Sequence, residues 1–133
     1  MIDIENKIIN TIAEALPDIK VYSTFELNPE EFPCVMVDYE YAGDYVNSFD
    51  EQLTPHHARI SVQIDTFALS KDQAKQTNAT VVNAMHSMKL RCTDSVNWGQ
   101  YSEGIHRMTS RFSAVVQEAQ DINGNTVYQM YRN

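Results

Sequence analysis

The chain has 133 residues, with 18 acidic and 10 basic side chains and a formal net charge of −8. Its 43% hydrophobic and 21% charged content, with only 4 glycines and 4 prolines, fits one folded domain over residues 1–133 and excludes whole-chain disorder, collagen-like repeats and low complexity. The acidic balance repels a phosphate backbone and excludes ordinary sequence-independent nucleic-acid binding, and no apolar run approaches the ~20 residues of a membrane helix.

Residues 3–16 form an amphipathic helix by spacing. Ile4, Ile8, Ile12 and Ala15/Leu16 recur at helical intervals, and Glu5, Lys7 and Glu14 fall off that stripe. Asp3 is the expected N-cap. Pro17 ends the helix, because a proline there removes a hydrogen bond and clashes with the preceding turn. The opening residues show neither a basic start nor an apolar stretch, so no signal peptide is expected. Residues 18–23 alternate as a short strand, and Asn28-Pro29-Glu30-Glu31 signals a turn.

Residues 32–42 read as a strand. Val35, Val37, Tyr39 and Tyr41 share one face, and Cys34, Met36, Asp38 and Glu40 share the other. Pro33 near its start suits a strand-initial or edge position. Residues 43–56 show no period. This long loop mixes the acids Asp44, Asp50 and Glu51 with the apolar Tyr45, Phe49 and Leu53, and loops of that length are usually functional or disordered. Residues 57–68 alternate most clearly, Ile60, Val62 and Ile64 against Arg59, Ser61, Gln63 and Asp65.

Ser70 and Gln73 then make a capping box that opens a second helix running to about Lys89. Ala74, Val81, Met85 and Met88 form its stripe, widened by Val82 and Ala84, with Asn78 as the polar member. Residues 90–104 read as irregular and contain Trp98-Gly99 and Gly104. Residues 105–118 form a strand, with Phe112, Ala114 and Val116 on one face. Asn123-Gly124 signals a type I′ hairpin turn with positive φ at both positions, and residues 125–132 return as the last strand. The expected fold is α+β: a mainly antiparallel five-stranded sheet with two amphipathic helices on one face, in the order α-β-β-β-α-β-β.

Chemistry-bearing motifs are sparse. No nucleotide-binding, nucleophile-elbow or zinc-protease motif occurs. Neighbouring His56 and His57 diverge if extended, His86 and His106 each stand alone, and neither a metal nor another cofactor is expected. Cys34 and Cys92 are too few for a disulfide framework and read as free thiols. Asp38 and Glu40, two apart on one strand face, are the best acid/base pair. Arg59, Arg107 and Arg111 are placed for cross-strand ion pairs with Asp38, Glu40 and Asp65. Tyr45, Phe49, Trp98 and Tyr101 fall in expected loops, where aromatic side chains either anchor interfaces or fold back onto the domain.

The order of elements and the local wording resemble the tail terminator (tail completion, head–tail joining) proteins of long-tailed bacteriophages. The resemblance lies in Ala13-Glu14-Ala15-Leu16-Pro17 followed by Ile19-Lys20-Val21-Tyr22, and in Glu31-Phe32-Pro33-Cys34-Val35-Met36-Val37. It continues in His57-Ala58-Arg59-Ile60-Ser61-Val62-Gln63-Ile64-Asp65-Thr66-Phe67, then Ser70-Lys71-Asp72-Gln73-Ala74. It closes with Thr109-Ser110-Arg111-Phe112-Ser113-Ala114-Val115-Val116 and the terminal hairpin, so it spans nearly the whole chain.

This resemblance implies a non-enzymatic virion protein at the neck end of the tail, assembled in the host cytoplasm. It implies a homo-hexameric ring on the last ring of the tail tube, which stops tube polymerisation and presents a surface to the head connector. DNA would pass through the hole only as transiting cargo, and no membrane is involved. The family's contact residues do not carry over position by position; from the residues themselves, Tyr45, Phe49, Trp98 and Tyr101 are the candidate ring or tube contacts, and Asp44, Asp50 and Glu51 the candidate lumen acids. The alternatives are another neck component, such as a head-closure or adaptor protein, or a small acidic α+β enzyme built on Asp38/Glu40 or a histidine.

Overall fold

The computed structural model describes residues 3–26, 28–44 and 57–131. Two helices, α1 (Glu5–Ala15) and α2 (Lys71–Ser87), cover one face of a six-stranded sheet. The strands are β1 (Lys20–Tyr22), β2 (Cys34–Asp44), β3 (His57–Ala68), β4 (Arg91–Ser102), β5 (Ile105–Gln120) and β6 (Thr126–Tyr131). The α+β class, the mainly antiparallel sheet and the two helices are as the sequence implies. The sheet has one strand more than expected, because β4 forms within residues 90–104, which read as irregular.

The reason lies in the pairing of β4. Its ladder with β5 shifts register three times, between Cys92 and Asp94, Asn97 and Gly99, and Gln100 and Ser102. Each shift inserts an extra residue and breaks the period-two alternation by which a strand is recognised. Gly99 at the second shift has φ +69, in the left-handed region, and its N–H is held by the Asn97 side chain at 2.8 Å.

The strand order is β1-β2-β3-β5-β4, and β6 also pairs with β5. β1 runs parallel to β2, and the remaining ladders are antiparallel. The sixteen residues of β5 line β3 along one edge and divide the other. β4 pairs with Ile105–Ser113 and β6 with Val115–Gln120.

The core follows the expected stripes. Val35 and Val37 of β2, Ile60, Val62 and Ile64 of β3, and Phe112 of β5 are all buried on the helix side. Ile8 and Ile12 of α1 and Val81 and Met85 of α2 press onto them. Asn78 interrupts the α2 stripe without harm, because the Ser110 hydroxyl donates to its Oδ1 at 2.9 Å; a buried polar group needs such a partner.

The helix ends test the capping expectations. At α2, Ser70 Oγ accepts the Gln73 N–H at 3.1 Å, and Gln73 Oε1 accepts the Leu69 N–H at 3.2 Å. At α1 the N-cap is Ile4, not Asp3. The Asp3 carboxylate accepts the Glu5 N–H at 2.9 Å from one residue further out.

The β5–β6 turn also differs from expectation. Gly124 has φ +80, but Asn123 does not join it at positive φ. Asp121 closes a longer turn instead: its Oδ1 accepts the N–H groups of Asn123 and Asn125, each at 2.9 Å, and its carbonyl accepts the Gly124 N–H at 3.0 Å. An aspartate side chain that captures amides two and four residues ahead replaces the tight two-residue turn.

Cys34 is fully buried, and Cys92 is half-buried. Burial raises the Cys34 thiol from 9.0 to about 11. An unfolded cysteine ionises near ~8.5, so the unfolded state sheds its proton first as pH rises. The contribution of Cys34 to stability is therefore full below that value and is lost up to about pH 11. Urea titrations across this window should show stability falling with pH, and Cys34→Ala should flatten the slope. An unchanged slope in the variant would assign it to other groups.

Candidate functional site

The sheet face opposite the helices carries the polar residues of β2, β3, β4 and β5. At one end of this face the alternating side chains converge on an arginine. The Arg107 guanidinium carbon lies 4.8 Å from the ring centre of Tyr101, 5.4 Å from Trp98, 5.5 Å from Phe67 and 5.6 Å from Phe25. Phe67 meets Tyr101 and Phe25 edge-on, at 5.5 and 6.2 Å between centres. A cation within about 6 Å of an aromatic centre is attracted by the ring quadrupole.

Beneath this cluster lies Asp65, only 2% exposed. Its Oδ1 accepts from Arg107 Nε and pairs with Nη2, both at 2.9 Å, and accepts from the Thr109 hydroxyl. Its Oδ2 accepts from Gln63 Nε2 at 3.1 Å. Thr109 Oγ1 in turn accepts the Trp98 indole N–H at 2.7 Å. The network continues from Gln63 Oε1 to Arg111 Nε at 3.1 Å, and from Arg111 Nη1 to Asp94 Oδ2 at 2.8 Å. Both oxygens of the buried carboxylate are thereby engaged, as a buried charge requires. The Arg111–Asp94 pair lies in the open, where such a pair is worth only ~0–1 kcal/mol.

The strand pattern makes this arrangement. Asp65 opposes Thr109 and Phe67 opposes Arg107 in the β3–β5 register, so Asp65 and Arg107 are diagonal neighbours on one face. The register shift at Asn97/Gly99 makes Trp98 the extra residue of its bulge, where it reaches Thr109. Phe25 comes from the segment between β1 and β2. A pocket of about 110 Å³ opens beside the arginine, walled by Phe25, Phe32, Met36, Phe67, Tyr101 and Ile105.

Two of the aromatic residues singled out in the sequence are thus brought together. Trp98 and Tyr101 lie on β4, not in a loop, and both are about half exposed, at 51% and 50%. Tyr45, Phe49, Asp50 and Glu51 lie outside the described residues, and Asp44 is the last residue of β2, opposite Ala58. Of the expected ion pairs Asp65–Arg107 forms, whereas Arg111 takes Asp94. Asp38 and Glu40 are exposed on the open face. Sequence reading missed Phe25 and Phe67, which reach the arginine only through the topology. An acid on β3 and a base on β5, both on the polar faces of their strands, were the legible signal for the pair.

Among the described residues no group of three or more His, Cys, Asp or Glu is placed to hold a metal ion. Among them, too, no helix is long and apolar enough to cross a membrane. No family model matches the chain, and no curated protein matches it. Among solved structures the chain is similar to one from the "virion of native gene transfer agent (GTA) particle", with a TM-score of 0.60 and 16% sequence identity. The likeness covers 85% of this chain and 91% of that one, and it is a likeness of fold.

Proposed function

We propose that the chain is a non-enzymatic structural protein of a phage-type virion that caps the tail tube as a hexameric ring. In this role it ends tube polymerisation and presents the joining surface to the head connector, at the neck end of a tail assembled in the host cytoplasm. The observation that carries the reading is the fold shared with a gene transfer agent virion chain over most of both lengths. The exposed aromatic and arginine surface adds to it, since aromatic residues and arginine are enriched where proteins meet.

A ring requires two different patches on each copy, meeting head to tail with a rotation that closes. The net charge of −8 suits a channel through which DNA slides, because like charges oppose contact. Asp44, Asp50 and Glu51 are the acids proposed for that lumen.

The test is the mass of the purified chain alone and with tail tubes, joined to electron microscopy of tube ends. A six-membered ring that sediments with tubes is the expected result. A monomer that binds only head connectors would transfer the chain to another neck role. Replacing Tyr45 and Phe49 together by alanine should weaken tube or ring contact at unchanged monomer stability. Unfolding of the double variant at lower denaturant would make the two residues core instead.

A further inference from the structure

The exposed large apolar side chains among the described residues are unevenly placed. Phe25, Leu69, Trp98 and Tyr101 lie at one end of the sheet, around the start of β5 and the end of β3. Ile122 lies at the opposite end, on the β5–β6 turn, and is 98% exposed. Single exposed apolar residues are ordinary on protein surfaces. This one stands on a turn held by the three Asp121 hydrogen bonds to Asn123, Gly124 and Asn125 and by the Asp121 N–H to the Asn125 carbonyl. It is a fixed knob.

The pocket walled by Phe25, Phe32, Met36, Phe67, Tyr101 and Ile105 is a matching hole. Its volume of about 110 Å³ suits the four carbons of an isoleucine side chain, given that a cavity of about 150 Å³ holds the six carbons of benzene. Ile105 opens β5 and Ile122 lies just beyond its end, so the strand holds hole and knob about 50 Å apart at ~3.4 Å per residue. The knob therefore cannot fill the hole of its own chain.

Charge agrees with the fit. At the edge of the hole Arg107 is 17% exposed, while its partner Asp65 lies beneath it at 3%, so the surface meets solvent with the cation. Glu26, which also lines the hole, turns its carboxylate to the Asn28 N–H. The knob carries Asp121 immediately before Ile122. Only Oδ1 of Asp121 is used within the turn, which leaves Oδ2 to meet the arginine.

We infer that Ile122 of one copy of this chain seats in the aromatic pocket of the next copy, with Asp121 facing Arg107. Knob and hole on opposite ends of one sheet make a heterologous contact, which generates a ring when the rotation closes. The inference deepens the ring reading by naming its seam, and rests on that reading only for closure.

Sedimentation of the full chain over a wide concentration range tests it with two variants. Ile122→Asp removes the knob at a site that touches nothing, and Ser102→Trp fills the hole from its exposed rim. Each alone should weaken self-association at least tenfold with the thermal transition unchanged. An equimolar mixture should give heterodimers and nothing larger, since one good knob and one good hole remain. Ile122→Leu should associate as the unaltered chain does.

Wild-type assembly by Ile122→Asp would overturn the seam and leave the ring to another surface. An unaltered chain that stays monomeric at every concentration would also overturn the seam. Sedimentation with tail tubes would then decide the ring reading separately. If Ser102→Trp fails to fold, Ile122→Asp decides alone.

Discussion

Phe112→Ala should be among the most destabilising single changes in the molecule. Phe112 is fully buried and is the largest of the fully buried side chains. It sits on β5 between Val62 of β3 and Cys92 of β4, facing the helices. Truncating such a ring removes its transfer free energy and leaves a cavity that the rigid sheet cannot collapse, at a cost of about 3–5 kcal/mol. Equilibrium urea unfolding measures it directly. A loss below about 1 kcal/mol would mean that the helix layer relaxes into the gap, contrary to the packing described.

Asp65→Ala should cost nearly as much by a different route. The substitution leaves Arg107 without its carboxylate and takes an acceptor from Thr109 and Gln63. Breaking a buried pair by removing one partner costs about 3–5 kcal/mol, and the partial exposure of Arg107 places the expected value at the lower end. Replacing both members, Asp65→Leu with Arg107→Met, should cost less than Asp65→Ala, because no charge is left uncompensated. Losses that simply add in a double-mutant cycle would show that the two side chains are not coupled. The same unfolding assay reads these variants together with Asp65→Leu and Arg107→Met alone, which close the cycle.

Sequence made the helix layer legible because its signals are periodic. Ile4, Ile8 and Ile12 repeat at helical spacing, Ser70 and Gln73 mark a start, and Ile60, Val62 and Ile64 alternate, so each local preference agrees with the final packing. β4 was hidden because its three register shifts scatter the very alternation that identifies a strand. That is also why Trp98 and Tyr101 read as loop residues.

The parallel β1–β2 pair was hidden for another reason. Three residues carry too little pattern to show direction, and the direction is set by where the chain returns. The candidate surface was half legible. The polar faces of their strands placed Asp65 and Arg107 among three acids and three arginines fit for cross-strand pairs, without saying which would meet. Phe25 and Phe67 come from distant segments, and nothing local marks either as a neighbour of the arginine.

The ladder between β3 and β5 carries a consequence for how the chain reaches this state. It joins Ala68 to His106 and His57 to Gln117, with α2 and β4 lying between in sequence. The β2–β3, β4–β5 and β5–β6 pairings join strands consecutive in sequence, so they close short segments and form early; the central ladder closes a long one. Loop closure must precede any reward from such distant contacts, which slows folding. Two locally assembled halves are therefore expected to dock along the seam between β3 and β5 as the late step, which chevron kinetics of seam and turn variants would check. Destabilising substitutions at the β5–β6 turn, which is made before that step, should slow refolding, while those at seam contacts completed after it should mainly speed unfolding.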